Sequence, residues 1–171
     1  WVTLRNYRDD NGLNADINIR THDIATLGLW GPKAVNALGN FIDPNEIDIQ
    51  NFPFVTAKNL TLNLSGGKKV DVWAARISYV GESGWEIYFN NNKDDGLALY
   101  DSLLEVGVVP VGIETYANSR RLEKSFRLQG ADLETEYTAI EAAIQRPLVK
   151  EADFHGKAAH LSHREEDPCA I

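Results

Sequence analysis
The 171-residue sequence predicts an α+β fold in which antiparallel strands and hairpins pack against a few helices. Three observations carry that reading. Val70 to Tyr79 and Trp85 to Phe89 are rich in β-branched and aromatic residues and flank Gly81-Glu82-Ser83-Gly84, a hairpin signal. Leu13, Ala15, Ile17 and Ile19 alternate with polar residues at the period of a half-buried strand. Lys93 to Val106 sets Leu97, Tyr100, Leu103 and Leu104 on one helical stripe, with Gly107 positioned to end it.

Taken in order, Trp1 to Asn11 carries Leu4 and Tyr7 at helical spacing and reads as the tail of a helix. The alternating strand ends at Thr21-His22-Asp23, and Ile24 to Trp30 forms a second, more apolar strand. Gly31-Pro32 opens a short helix from Lys33 to Leu38, with proline in the first turn where its missing N–H costs nothing. Asp43 to Asn51 reads as a polar connection, followed by Phe52-Pro53-Phe54-Val55-Thr56, whose two phenylalanines suit burial against a sheet. Leu60, Leu62 and Leu64 alternate as a strand, and Gly66-Gly67 is a turn into the hairpin. That glycine pair lacks the Lys-Ser/Thr ending and the following helix of a phosphate loop. Beyond Gly107, Val108 to Gly112 crosses to a helical stretch from Glu114 to Phe126, in which Arg121 and Glu123 have spacing suited to surface and packing roles.

Composition narrows the function classes. The chain is long enough for one globular domain with a core, with part of a second. A net charge of −8 with scattered Lys and Arg argues against a nucleic-acid partner. No apolar run approaches the roughly 20 residues of a membrane span, so no membrane association is expected. The single Cys169 has no partner for an internal disulfide, which suits a reducing compartment and a soluble, cytoplasmic protein. No metal site is expected, because His155, His160 and His163 have no acidic or thiol companions at ligand spacing and read as solvated. The chain starts at Trp1 and has 0 methionines, which points either to a processed piece of a longer protein or to a sequence that has lost residues such as methionines.

The hairpin is where chemistry and fold coincide. Alternation puts Trp85, Ile87 and Phe89 on one face of the second strand, toward a core, and Glu86 and Tyr88 on the other. Glu86 is therefore a carboxylate on a rigid strand. It either solvates the outer face of the sheet or receives two parallel N–H donors, as a guanidinium or the edge of a pterin ring presents them. Tyr79 would stack or hydrogen-bond beside it.

Tyr79-Val80-Gly81-Glu82-Ser83-Gly84-Trp85-Glu86 resembles the Tyr-Thr/Val-Gly-Glu-x-Gly-Trp/Val/Phe-Glu segment of the folate-binding aminomethyltransferase family. That family includes the glycine-cleavage T-protein and the folate domains of dimethylglycine and sarcosine dehydrogenases, and Trp85 and Tyr88 look more like the dehydrogenase branch. Further segments agree in order: Leu29-Trp30-Gly31-Pro32-Lys33-Ala34, Phe52 to Thr56, Tyr116 to Arg127, Gly130 to Ala142, and Asp153 to Ala159. In the Tyr116 block, one methionine between Ala117 and Asn118 would restore the family's register, and the folate-contacting arginine of the T-protein branch has no counterpart.

The resemblance implies the aminomethyltransferase folate-binding fold over residues 1–165, with 166–171 opening a C-terminal β-barrel segment. It implies tetrahydrofolate as cofactor, contacted by Tyr79 and Glu86 with Phe54 as the flanking aromatic. The implied reaction is one-carbon transfer from an aminomethyl or methylamine-derived donor, either a small molecule or a donor-carrying protein. A flavoprotein partner or fused domain also follows from the dehydrogenase branch, although no Gly-x-Gly-x-x-Gly flavin-binding stretch occurs. The family's loop aspartate would precede Trp1, which leaves the catalytic residue unknown. The alternatives are a non-catalytic folate-binding or regulatory module and a folate-dependent demethylase of another methyl donor.

Overall fold
A computed structural model describes residues 2–144 and 149–166. Cys169 and nearly all of the expected barrel segment, 166–171, lie outside the described residues. The chain divides into two compact units, Trp1–Ser78 with Glu82–Val109, and Tyr79–Gly81 with Pro110–Ile171.

The first unit is an antiparallel sheet with helices, the α+β class expected. Its strands are β1 (Ile24–Trp30), β2 (Ala57–Asn63), β3 (Lys69–Ala75) and β4 (Gly84–Asn90), in the order β1-β4-β3-β2. Alternation sorts the faces. Leu29, Leu60, Leu62, Val70, Val72, Ala74, Trp85, Ile87 and Phe89 are all buried on the inner face. They form one core with residues of α2 (Ala34–Leu38), α3 (Pro44–Ile47) and α4 (Lys93–Glu105), together with Phe41, Ile42 and Phe52. At about 25 cal/mol per Å² of apolar surface, this burial is the main force holding the sheet to its helices.

Several expectations change in the structure. Helix α1 (Val2–Asp10) is present, but no residue of it is buried. Residues 13–20 form no strand, and Leu13 and Ile19 are exposed, because the segment has no ladder partner to fix its alternation into a pleat. The polar connection holds α3, capped where the Asp43 side chain accepts from the Asn45 N–H and Pro44 takes the first turn. The hairpin is longer-looped than expected, since β3 ends at Ala75 and β4 begins at Gly84.

Helix α4 starts at an Asn92 cap and ends as expected at Gly107, whose φ is 84°. There the Gly107 and Val108 N–H groups donate to Leu104 and Leu103 carbonyls. Its buried stripe, however, is Leu99, Ser102 and Leu103, while Leu97, Tyr100 and Leu104 face outward. The true face lies one residue round from the predicted one, chosen by contact with the sheet.

In the second unit a π-helical stretch, Thr115–Arg120, runs into α5 (Arg121–Glu123), and α6 (Lys157–Glu165) follows later. Thr138 and Glu141 form a reciprocal capping box: the Thr138 N–H donates to the Glu141 carboxylate, and the Glu141 N–H to the Thr138 hydroxyl. That backbone bond holds the Glu141 carboxyl below its usual range. His155 is exposed as expected, but His160 and His163 are half-buried on α6. Among the described residues no helix is long and apolar enough to cross a membrane, and no group of three or more acidic, His or Cys side chains could hold a metal ion.

Candidate functional site
The outer face of the first unit's sheet carries the chemistry. Glu86 lies opposite Gly28 of β1 and Ala75 of β3. Neither neighbour has a side chain beyond Cβ, and the carboxylate is half-buried beside a buried Ala75. The Trp30 ring covers Gly28 so closely that a Cβ there would lie 2.0 Å from it, and the indole N–H donates to the Ile77 carbonyl at 3.0 Å. In the next cross-strand row Tyr88 faces Thr26 and Trp73. The Tyr88 hydroxyl donates to Glu86 Oε2, and the Tyr88 and Trp73 rings pack with centroids 5.0 Å apart. A groove of about 880 Å³ adjoins this row, with Trp73, Tyr88, Asn59, Thr61, Asp71 and Asn90 among its lining residues.

Phe54, in the same unit, is 58% exposed, whereas Phe52 is buried. The two phenylalanines thus split between the readings the sequence left open. The segment that presents Phe54 is held by several bonds. The Val55 N–H donates to the Arg76 carbonyl, the Arg76 N–H to the Thr56 carbonyl, and the Thr56 hydroxyl to the Pro53 carbonyl. Val55 adopts φ 64°, a left-handed conformation unfavourable for a β-branched residue. Arg76 is buried, donates to the Ile47 and Phe52 carbonyls, and lies 5.0 Å over the Trp85 ring. Burial lowers its guanidinium pKa, while the charge of Asp48 acts in the opposite sense.

Tyr79 belongs to the second unit. Its hydroxyl donates to the Arg127 carbonyl at 2.8 Å, and its ring packs on Tyr116 and Phe126 at 5.5 and 6.1 Å. Arg121, expected in a surface or packing role, is buried. It donates to the Ala117 carbonyl of the π-helical stretch and to the Phe126 carbonyl, and pairs with Asp132. The Leu128 N–H, first, and the Arg121 guanidinium hold the Asp132 carboxyl below its usual range.

Sequence reasoning therefore located Glu86 on its face but missed Trp30, Trp73 and Arg76. The signal was available for two of them: Trp73 has the parity of Asp71, and Trp30 that of Gly28, both outside the core pattern.

This arrangement is an α+β module with an aromatic-flanked carboxylate on the outer face of its sheet. The chain belongs to the family of the GCVT N-terminal domain, whose model matches residues 1–151. Its relatives include the human mitochondrial dimethylglycine dehydrogenase, 35% identical over 154 residues that make up 86% of this chain and 17% of that protein. They also include aminomethyltransferases. That of Geobacillus sp. (strain WCH70) is 33% identical over 156 residues, 88% of this chain and 40% of the relative. That of Bacillus subtilis (strain 168) is 29% identical over 160 residues, 90% and 41%. The chain thus spans under a fifth of the length of the dehydrogenase and about two-fifths of these aminomethyltransferases.

Proposed function
We propose that this chain is the folate-binding part of a tetrahydrofolate-dependent one-carbon transferase of the aminomethyltransferase type. The observation that supports this most is Glu86. A carboxylate fixed on a strand, between Gly28 and Ala75, which carry no side chain beyond Cβ, suits a flat ring edge bearing adjacent N–H donors. The indole of Trp30, which covers the neighbouring Gly28, gives that ring apolar surroundings. Family membership and the names of the relatives point the same way.

In this reading Glu86 holds the pterin and exposed Phe54 flanks the ligand, while Tyr79 is a contact that the family resemblance alone implies. Bound tetrahydrofolate would supply the nucleophilic nitrogen that takes up the one-carbon unit. What these side chains supply is position, a large share of any such rate enhancement. The donor is an aminomethyl or methylamine-derived compound, free or protein-carried, and a flavoprotein partner or fused domain fits the dehydrogenase relatives. The cytoplasm is the proposed compartment from cysteine usage, whereas the human relative is mitochondrial by name, so subcellular fractionation of the whole protein decides it.

Calorimetric titration with tetrahydrofolate tests the site. Glu86→Ala should weaken binding by about 10- to 150-fold, the equivalent of a charge-assisted bond of roughly 1.5–3 kcal/mol. Saturable binding untouched by that substitution would remove Glu86 from the site. Absence of binding by the folded, complete protein would remove folate from the proposal. Binding without transfer to any tested donor would favour a non-catalytic folate module.

A further inference from the structure
We infer that Tyr88 is a positioning residue, which sets the carboxylate of Glu86 for its ligand through its own hydroxyl and is itself held by Trp73. The inference rests on the folate reading of Glu86. Three features of the sheet carry it.

Tyr88 follows Glu86 by two residues, so both side chains rise from the same face of β4 and the hydroxyl reaches Oε2 without crossing a strand. Trp73 is the direct cross-strand partner of Tyr88, and its ring meets the tyrosine ring at 5.0 Å with a 55° tilt. The neighbours of Glu86 in its own row and in the next are unequal. Gly28 and Ala75, its cross-strand partners, give the carboxylate no polar contact, while Tyr88 supplies a donor.

A glutamate has several rotatable bonds and loses conformational freedom when it grips a ligand. One donor fixed by the sheet removes part of that freedom before binding. An ionised carboxylate accepts about four hydrogen bonds, so the one taken by Tyr88 at Oε2 leaves acceptor capacity on both oxygens for a flat N–H edge. Tyr88 therefore raises affinity without touching the ligand.

A double-mutant cycle on the full protein, titrated with tetrahydrofolate, separates this role from packing. Tyr88→Phe keeps the ring on Trp73 and deletes only the hydroxyl. It should weaken binding about three- to tenfold. In a Glu86→Ala background the same change should have no effect, because the tyrosine acts only through the carboxylate. Melting curves of the single variants confirm that each is folded. If Glu86→Ala weakens binding but Tyr88→Phe leaves it unchanged or tighter, the positioning role is overturned and the folate site stands. An equal loss in both backgrounds would make Tyr88 a direct or purely structural contact and would likewise overturn it. If Glu86→Ala itself has no effect, both the site and the positioning role fall.

Discussion
Single residues decide both the face and the scaffold of this site. Arg76 satisfies the Ile47 and Phe52 carbonyls from a buried position, and no other donor to them occurs among the described hydrogen bonds. Arg76→Met should therefore lower unfolding free energy by about 2–4 kcal/mol in urea titrations. It should also loosen the segment that presents Phe54. Gly28→Ala puts a methyl group into the Trp30 ring and displaces the indole from its bond to Ile77. An overpacking cost of about 1–3 kcal/mol follows, visible as a lowered denaturation midpoint. Glu86 was legible because strand parity alone assigns its face once Trp85, Ile87 and Phe89 are recognised as core. Arg76 was not, because a buried guanidinium bonded to distant carbonyls leaves no periodic trace in the sequence.

At the level of elements, α4 offers a test by pH. Asp95 in its first turn accepts from Lys68, the larger influence, and from Asn92, and both hold its carboxyl below the usual range. The native state thus binds this proton less readily than the unfolded chain. Its stabilising contribution is complete above about pH 4, the unfolded carboxylate value, and fades as pH falls further through the lowered native pKa. Asp95→Asn should accordingly flatten the acid limb of a stability–pH profile below about pH 4, measured by thermal melts. The same helix shows how far periodicity reaches. Its extent and its glycine stop were legible, but the buried face fell on Leu99, Ser102 and Leu103, because propensity cannot say which side of an apolar helix meets a sheet. Residues 13–20 carry the opposite lesson. Perfect alternation describes a surface ready to pair, and without a neighbouring strand it stays open.

Across the molecule, protection should follow the ladders. Native-state hydrogen exchange should show the slowest amides in β3 and β4, which pair with each other and each with a further strand, and the fastest in the exposed segment 13–20. Comparable exchange in the two would contradict the sheet assignment. The antiparallel sheet with its helices was readable because strands, turns and the helix stop agree with one another along the sequence. The division of Tyr79 and Glu86 between two units was not, since the six intervening residues give no hint of where a chain changes body.

The place of β4 between β1 and β3 also bears on the speed of recognition. Its backbone pairs with β1 along its whole length and with β3 from Glu86 to Phe89, so Glu86 has a strand on either side. A ligand arriving there meets a group whose backbone is already paired on both sides. The observed association rate at this residue should then climb in proportion to ligand concentration, without the plateau that a slow rearrangement imposes.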